Sequence, residues 1–263
     1  MNSPNNWRIL PLVIADQQSH IARSESLLQA IQPGDAATLS WSMAETDGLV
    51  LGFSQKPDTL NPTMRAAAAL PVYHRRAGGT AVLVGPHLLG LDVVLPADHP
   101  LALPDIVESY RWLGETWVAA LQRLGINTRA IPPDEAHAQR DLIKHAATRE
   151  RETILRRACY GSLSPYEVVV GQRKVVGLDM IRRRQGSLLQ AGVLLRWETE
   201  TLARWLGHTP EEQAILRVGL RERAVGLDTL AGRAITPEEV IAAFELVIGS
   251  LPLQPGSVYN VQK

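Results

Sequence analysis

The segment His74-Arg75-Arg76-Ala77-Gly78-Gly79-Thr80-Ala81-Val82 sets two arginines before two glycines, and the glycines before an apolar run. Glycines, lacking Cβ, let backbone N–H groups come close to a carboxylate, phosphate or carbonyl oxygen. An arginine beside them presents a fixed fork to an anion. Taken alone, the same residues also describe a tight turn with surface arginines. The segments on either side decide what the turn belongs to. Upstream, Ile21, Leu27, Leu28 and Ile31 have helical spacing over residues 20–31, and Pro33-Gly34 ends that helix. Runs at 37–43 and 48–53 then read as a hairpin around Glu45-Thr46-Asp47. Asn61-Pro62 opens a short helix, with Asn as cap and Pro in the first turn.

Downstream, residues 81–84 and 88–95 read as buried strands joined at Gly85-Pro86. Residues 104–125 form the clearest amphipathic helix, with Tyr110, Leu113, Trp117 and Leu121 on its apolar face. Residues 131–151, with Pro132-Pro133 and few apolar anchors, read as an exposed mobile loop. Gly171-Gln172 between Val-rich runs is the signal for a type II′ hairpin. A strand at 187–195 follows. From Glu198 the pattern is helical, and Thr236-Pro237-Glu238-Glu239 is a helix start with a capping Thr and acids in the first turn. The expected architecture is α+β. Residues 1–197 make the main unit, and residues 198–263 a small helical segment packed on it.

Composition narrows the partners. The 263 residues carry 27 Lys and Arg against 27 Asp and Glu. A neutral chain lacks the basic excess of a nucleic-acid binder. No apolar run approaches the ~18 residues of a membrane span, and residues 1–12 do not read as a signal peptide. One cysteine, Cys159, forbids an internal disulfide and points to a reducing, cytoplasmic setting. The seven histidines show no metal-ligand spacing, so no metal is expected.

Two single residues stand out. Lysines are scarce, only Lys56, Lys144, Lys174 and Lys263, yet Lys174 sits among valines. If Gly171-Gln172 is the loop, Val169 pairs with Lys174 and Glu167 with Val176. Glu167 and Lys174 then lie diagonally on one face, within reach of each other. Either Glu167 orients Lys174, or the two form an ordinary exposed pair worth about 0–1 kcal/mol. Cys159 follows Arg156 and Arg157, and guanidinium neighbours favour a thiolate. A lone cysteine is also commonly a small buried hydrophobe. Arg182-Arg183-Arg184 is either a solvated strand edge or a docking patch for an acidic protein.

Together these segments resemble the lipoate/octanoate branch of the biotin/lipoate protein ligase family. The resemblance covers the chain from about Trp7 to the last helix. It rests on the order of Gly52-Phe53-Ser54-Gln55, the Arg75 to Val82 segment, Gln172-Arg173-Lys174-Val175-Val176-Gly177 and Leu189-Gln190-Ala191-Gly192. It implies a ligase-like catalytic domain with mixed β-sheets flanked by helices. It places Arg75, Gly78, Gly79, Thr80, Gly177 and Gln190 at the acyl substrate, with Lys174 at the acyl carbonyl or acyl-adenylate. Cys159-Tyr160-Gly161-Ser162-Leu163-Ser164-Pro165-Tyr166-Glu167 is similar to the segment of LipM-type octanoyltransferases whose cysteine accepts the acyl chain, which makes Cys159 the implied nucleophile.

The chain departs from the family at His74, at Val84-Gly85-Pro86, at Leu178-Asp179-Met180 and at Ala191. Three activities are therefore carried forward. The first is transfer of an octanoyl or lipoyl group from acyl carrier protein to a lysine of a lipoyl domain through a Cys159 thioester, with no cofactor. The second is ligation dependent on ATP and Mg through a lipoyl-adenylate. The third is acyl binding without turnover. Acceptors would be lipoyl domains of 2-oxoacid dehydrogenases or the glycine cleavage H protein, and Arg182, Arg183 and Arg184 the face that meets them.

Overall fold

The glycine turn at Gly78-Gly79 lies where two mixed sheets meet. The computed structural model describes residues 7–251, and the outer ends of the two expected segments, 1–6 and 252–263, lie outside them. In chain order the elements are β1 (Arg8–Ala15), α1 (Gln17–Ala30), β2 (Thr38–Ala44), β3 (Gly48–Leu51), α2 (Pro62–Ala67), β4 (Val72–His74), β5 (Val82–Val84), β6 (Leu88–Pro96), α3 (Glu108–Arg123), β7 (Arg129–Ala130), α4 (Pro133–Asp141), α5 (Arg149–Leu155), β8 (Val168–Val170), β9 (Arg173–Arg182), β10 (Gly186–Leu194), α6 (Glu200–Leu206), α7 (Pro210–Arg223), α8 (Leu227–Ala231) and α9 (Pro237–Ile248). The large sheet runs β1-β2-β6-β10-β9-β8-β7 and the small one β4-β3-β5. The β1/β2 and β3/β4 pairs are parallel and the other pairs antiparallel. This is the expected α+β architecture. Among the described residues no helix is long and apolar enough to cross a membrane.

The large sheet has two different faces because strand side chains alternate. Leu89, Leu91, Val93 and Leu95 of β6 join Leu189 and Val193 of β10 in the main core, with Trp41, Trp117 and Phe244. The Trp41 ring meets Trp117 and Phe244 edge-on, at 6.1 and 5.6 Å, a favoured aromatic geometry. Phe244 belongs to α9, which starts at a complete capping box on Thr236 and Glu239, so the last helix shares the core of the sheet. The opposite face carries Gly90, Gly177 and Gly192, and α1 and the small sheet stand over it.

Two expectations are corrected, and one strand is added. The runs at 37–43 and 48–53 are strands but not a hairpin: β2 joins the large sheet and β3 the small one. Both are almost wholly buried, so alternation carries no sign of which sheet each joins. Residues 131–151 hold α4 and α5 instead of a mobile loop. Pro133 is the first helical residue of α4, a position where the missing N–H costs nothing. Few anchors suffice, since α4 buries Ala136 alone. Residues 8–15, not read as an element, form edge strand β1. Pro11 falls inside a register shift between Leu10 and Val13, where an edge strand tolerates proline.

Candidate functional site

The hairpin of β8 and β9 turns at Gly171, whose φ is +61°, and Val169 pairs with Lys174 as its spacing predicts. A register shift between Val168 and Val169 then breaks the alternation. Tyr166, at φ +63°, turns the preceding chain inward. This backbone is packed so tightly that a Cβ on Gly114 would stand 2.2 Å from the Tyr166 carbonyl oxygen. Glu167 is thereby delivered to Lys174, with its carboxylate oxygens 2.8 and 2.7 Å from Nζ. Their side chains are 2% and 1% exposed, so this is a buried pair and not a surface one. Glu167 also accepts from the backbone N–H groups of Ser164 and Leu178. Burial pushes its carboxyl up, and Lys174 opposes that rise.

The third acceptor of Lys174 Nζ is the carbonyl oxygen of Cys159, at 2.9 Å. The ammonium lies over the Tyr160 ring, 5.3 Å from its centre. Lys174 thus grips the backbone of the cysteine turn (Cys159–Gly161). Two further ties fix that turn. Cys159 N–H donates to the Ala81 carbonyl at 2.9 Å, and Ala81 N–H donates to the Arg157 carbonyl at 3.1 Å. Gln55 Nε2 also donates to the Arg157 carbonyl, which explains the use of Gly52-Phe53-Ser54-Gln55. The Tyr160 hydroxyl donates to the Gly192 carbonyl at 2.7 Å.

The cation beside the cysteine is Arg75. Arg157 instead turns to Glu212 and the Leu206 carbonyl, and Arg156 to the Arg140 carbonyl, so the two chain neighbours are not its charge partners. Arg75 Nη1 lies 3.1 Å from Asp179 Oδ2, Nη2 donates to the Gly78 carbonyl at 3.0 Å, and the guanidinium and the Cys159 thiol flank the same side of Gly79. Burial works against its charge, but Asp179 and Cys159 outweigh it and hold the guanidinium above its usual value. Gly79, at φ +85°, is required here: a Cβ would stand 2.7 Å from Arg75 Nη2 and 3.9 Å from Cys159 Sγ.

Two clefts meet at the cysteine. The first lies between α1, the glycine-lined sheet face and apolar Val50, Val84 and Leu88, about 1000 Å³ with its open mouth included. The other, about 910 Å³, runs past Gly78, Gly79, Thr80, Tyr110 and Lys174. Arg75, Cys159, Leu178 and Asp179 line both. Gly177 and Gln190 line the first. Gln190 Nε2 donates to Asp92 at 2.7 Å, and Ser24 makes a hydrogen bond to the other oxygen. Burial pushes the Asp92 and Asp179 carboxyls up. In the sequence Asp179 stands out only as a departure from the family pattern. Its signal was an acid two residues after Gly177, on the same strand face. For Asp92 the signal is its place as the single charge in the otherwise apolar run of β6.

Arg182, Arg183 and Arg184 do not act together. Arg182 donates to the Pro104 carbonyl and Ser109 hydroxyl and fixes the approach to α3. Arg183 and Arg184 are exposed. Among the described residues no group of three or more His, Cys, Asp or Glu side chains is placed to hold a metal ion.

This architecture is that of the lipoate protein ligase catalytic fold. The bipartite lipoate protein ligase of Thermoplasma acidophilum superposes with a TM-score of 0.69 at 18% identity, over 91% of this chain and 80% of that one. A lipoate-protein ligase A bound with ATP superposes at 0.66 with 19% identity, over 90% and 81%. Residues 16–248 match the lipoyl protein ligase A/B catalytic domain, and the chain belongs to that family. Similar sequences include the octanoyltransferase LipM of Kyrpidia tusciae, 30% identical over 96% of this chain and 90% of that protein. That of Exiguobacterium sibiricum is 29% identical over 90% and 84%.

Proposed function

We propose that this chain is an acyltransferase of protein lipoylation, which moves an octanoyl (or lipoyl) group to a lysine of a lipoyl domain through a thioester on Cys159. The observation that carries this reading is Cys159 at the junction of two clefts, beside Arg75. The Cys159 sulfur attacks the carbonyl of an octanoyl thioester on acyl carrier protein. The acyl–Cys159 bond forms and the carrier thiol leaves with the proton. The acyl chain occupies the apolar cleft, and backbone N–H groups near Gly79 receive the developing oxyanion. Lys174 acts mainly by holding the cysteine turn. A lysine amine of the lipoyl domain then takes the acyl group as an amide. The relatives named octanoyltransferase support the reaction, and the T. acidophilum ligase was described with its E2 lipoyl domain. Lipoyl domains of 2-oxoacid dehydrogenases and the glycine cleavage H protein fit as acceptors, with exposed Arg183 and Arg184 meeting acidic partners.

The transferase route needs no cofactor. ATP and Mg would enter only in ligation. Against that route, the arginines and lysine at the clefts, Arg75, Arg76 and Lys174, are already paired with Asp179, Glu25 and Glu167, so a triphosphate would meet carboxylates there. The test is intact mass of the chain with octanoyl carrier protein, then of a lipoyl domain added to it. The expected results are one octanoyl adduct on Cys159, its loss in Cys159→Ser, and octanoylated lipoyl domain without ATP. Modification that needs ATP and survives Cys159→Ser would replace this reading with ligation. Bound acyl chain with no modified lipoyl domain in either arm would leave acyl binding alone.

A further inference from the structure

Transfer to a lysine requires a proton acceptor. A lysine amine has a pKa of about 10.4 and is protonated at neutral pH, and only the neutral amine attacks a thioester. Lys174 is poorly placed to accept the proton. Its Nζ already faces both Glu167 oxygens and the Cys159 carbonyl, and its side chain is 1% exposed. Four residues line both clefts: Arg75 is a permanent cation, Cys159 carries the acyl group, and Leu178 is apolar. The fourth is Asp179. Its Oδ2 is held by Arg75 at 3.1 Å, while Oδ1 is shielded from water and has no hydrogen-bond partner. An orphaned buried acceptor costs about 1–3 kcal/mol and calls for an explanation. An incoming ammonium supplies the missing donor.

We propose that Asp179 is the catalytic base of the second half-reaction, accepting through Oδ1 a proton from the lysine ammonium of the lipoyl domain. The inference rests on the Cys159 thioester proposed above. One proton of the ammonium passes to Asp179, the freed nitrogen pair forms the C–N bond, and the C–S bond breaks. The second proton goes to the Cys159 sulfur and the third stays on the amide. The ionisable groups around Asp179 are Arg75, Cys159, Tyr110 of α3 and Asp92 of β6. Burial pushes the Asp179 carboxyl up against the pull of Arg75, which makes it a stronger base than a free carboxylate. Arg75 keeps Oδ2 engaged and so fixes which oxygen is left for the amine.

The test separates the two half-reactions. Wild type and Asp179→Asn are loaded with octanoyl carrier protein, and transfer to a lipoyl domain is followed by intact mass from below neutrality to near pH 10. Loading of Cys159 is measured separately for each protein, since Asp179 also pairs with Arg75, and transfer is scored from the fully loaded thioester, as the rate per acyl-Cys159 present. Asp179→Asn is expected to transfer at least about 100-fold more slowly at neutral pH, the low end for a lost general base, and the deficit shrinks toward high pH, where the acceptor amine deprotonates unaided. Discharge to hydroxylamine, unprotonated at neutral pH, should match wild type. Asp179→Glu, which keeps a carboxylate, should transfer faster than Asp179→Asn. Equal transfer by wild type and Asp179→Asn overturns the assignment. So does a deficit constant with pH and shared by hydroxylamine, or an Asp179→Glu protein no faster than Asp179→Asn. A wild-type chain that never loads Cys159 removes the thioester reading, and this inference with it. Loading without an effect of Asp179 removes only the inference.

Discussion

Replacing Lys174 by Met tests the clamp on the cysteine turn. The change keeps side-chain length and apolar packing but strands the Glu167 carboxylate, whose side chain is 2% exposed, without its cation. Removing one partner of a buried pair costs about 3–5 kcal/mol. At about 2–4 °C per kcal/mol for a chain of comparable size, that lowers Tm by roughly 6–20 °C. The loss should depend on pH. Burial already raises the Glu167 carboxyl, and without Lys174 it rises further. The folded state then holds a proton that the unfolded state releases, so the penalty is present at neutral pH and fades as pH falls toward the ordinary carboxyl value of 4.5. Pairing Lys174→Met with Glu167→Gln removes both charges and should restore most of the stability, though not the hold on the Cys159 carbonyl. Calorimetry and denaturant melts of the two single variants and the double variant measure the coupling directly. If Lys174→Met melts within about 1 kcal/mol of wild type at neutral pH, the pair behaves as a solvent-screened surface pair, and the argument for a clamp on Cys159 fails.

Three other outcomes are expected. Gly79→Ala places a Cβ 2.7 Å from Arg75 Nη2 at φ +85°, so octanoyl loading of Cys159 should fall by at least about tenfold, with a stability cost of about 1–2 kcal/mol; unchanged loading would show that the turn relaxes freely. The hydrogen bond from Arg157 holds Glu212 down to about 2 against an ordinary 4.5. Its contribution is present above about 4.5 and lost as pH falls toward about 2, and acid melts of Glu212→Gln should lack that limb. Asp92 is pushed up by burial, so its share of stability falls as pH rises from 3.8 through its folded value; Asp92→Asn should remove the slope.

How much was legible followed from how local each signal is. The hairpin at Gly171-Gln172 and the meeting of Glu167 with Lys174 could be read from alternation, because both depend on neighbours in the chain. The register shift at Val168 could not, so the predicted partner of Glu167, Val176, pairs instead with Val168. The cation beside Cys159 was sought in adjacent Arg156 and Arg157 but comes from Arg75, and only the closing of the two sheets brings that arginine there. Asp179 was visible merely as an unusual residue, since its meaning lies in facing Arg75. Segments buried on both sides, such as β2 and β3, lost the pattern that would have assigned them to separate sheets.

The backbone around Lys174 has a consequence for how the protein matures. Val225 N–H donates to the Lys174 carbonyl at 3.0 Å, while Ala81, Cys159 and Glu167 converge on the same few ångströms. Contacts spanning such separations along the chain close slowly, because loop-closure entropy is incurred before the contacts repay it. A nascent chain cannot complete this constellation until α7 has left the ribosome. Cys159 is therefore seated only after the chain has been made to beyond Val225, and its accessibility to a thiol reagent should report on completed folding.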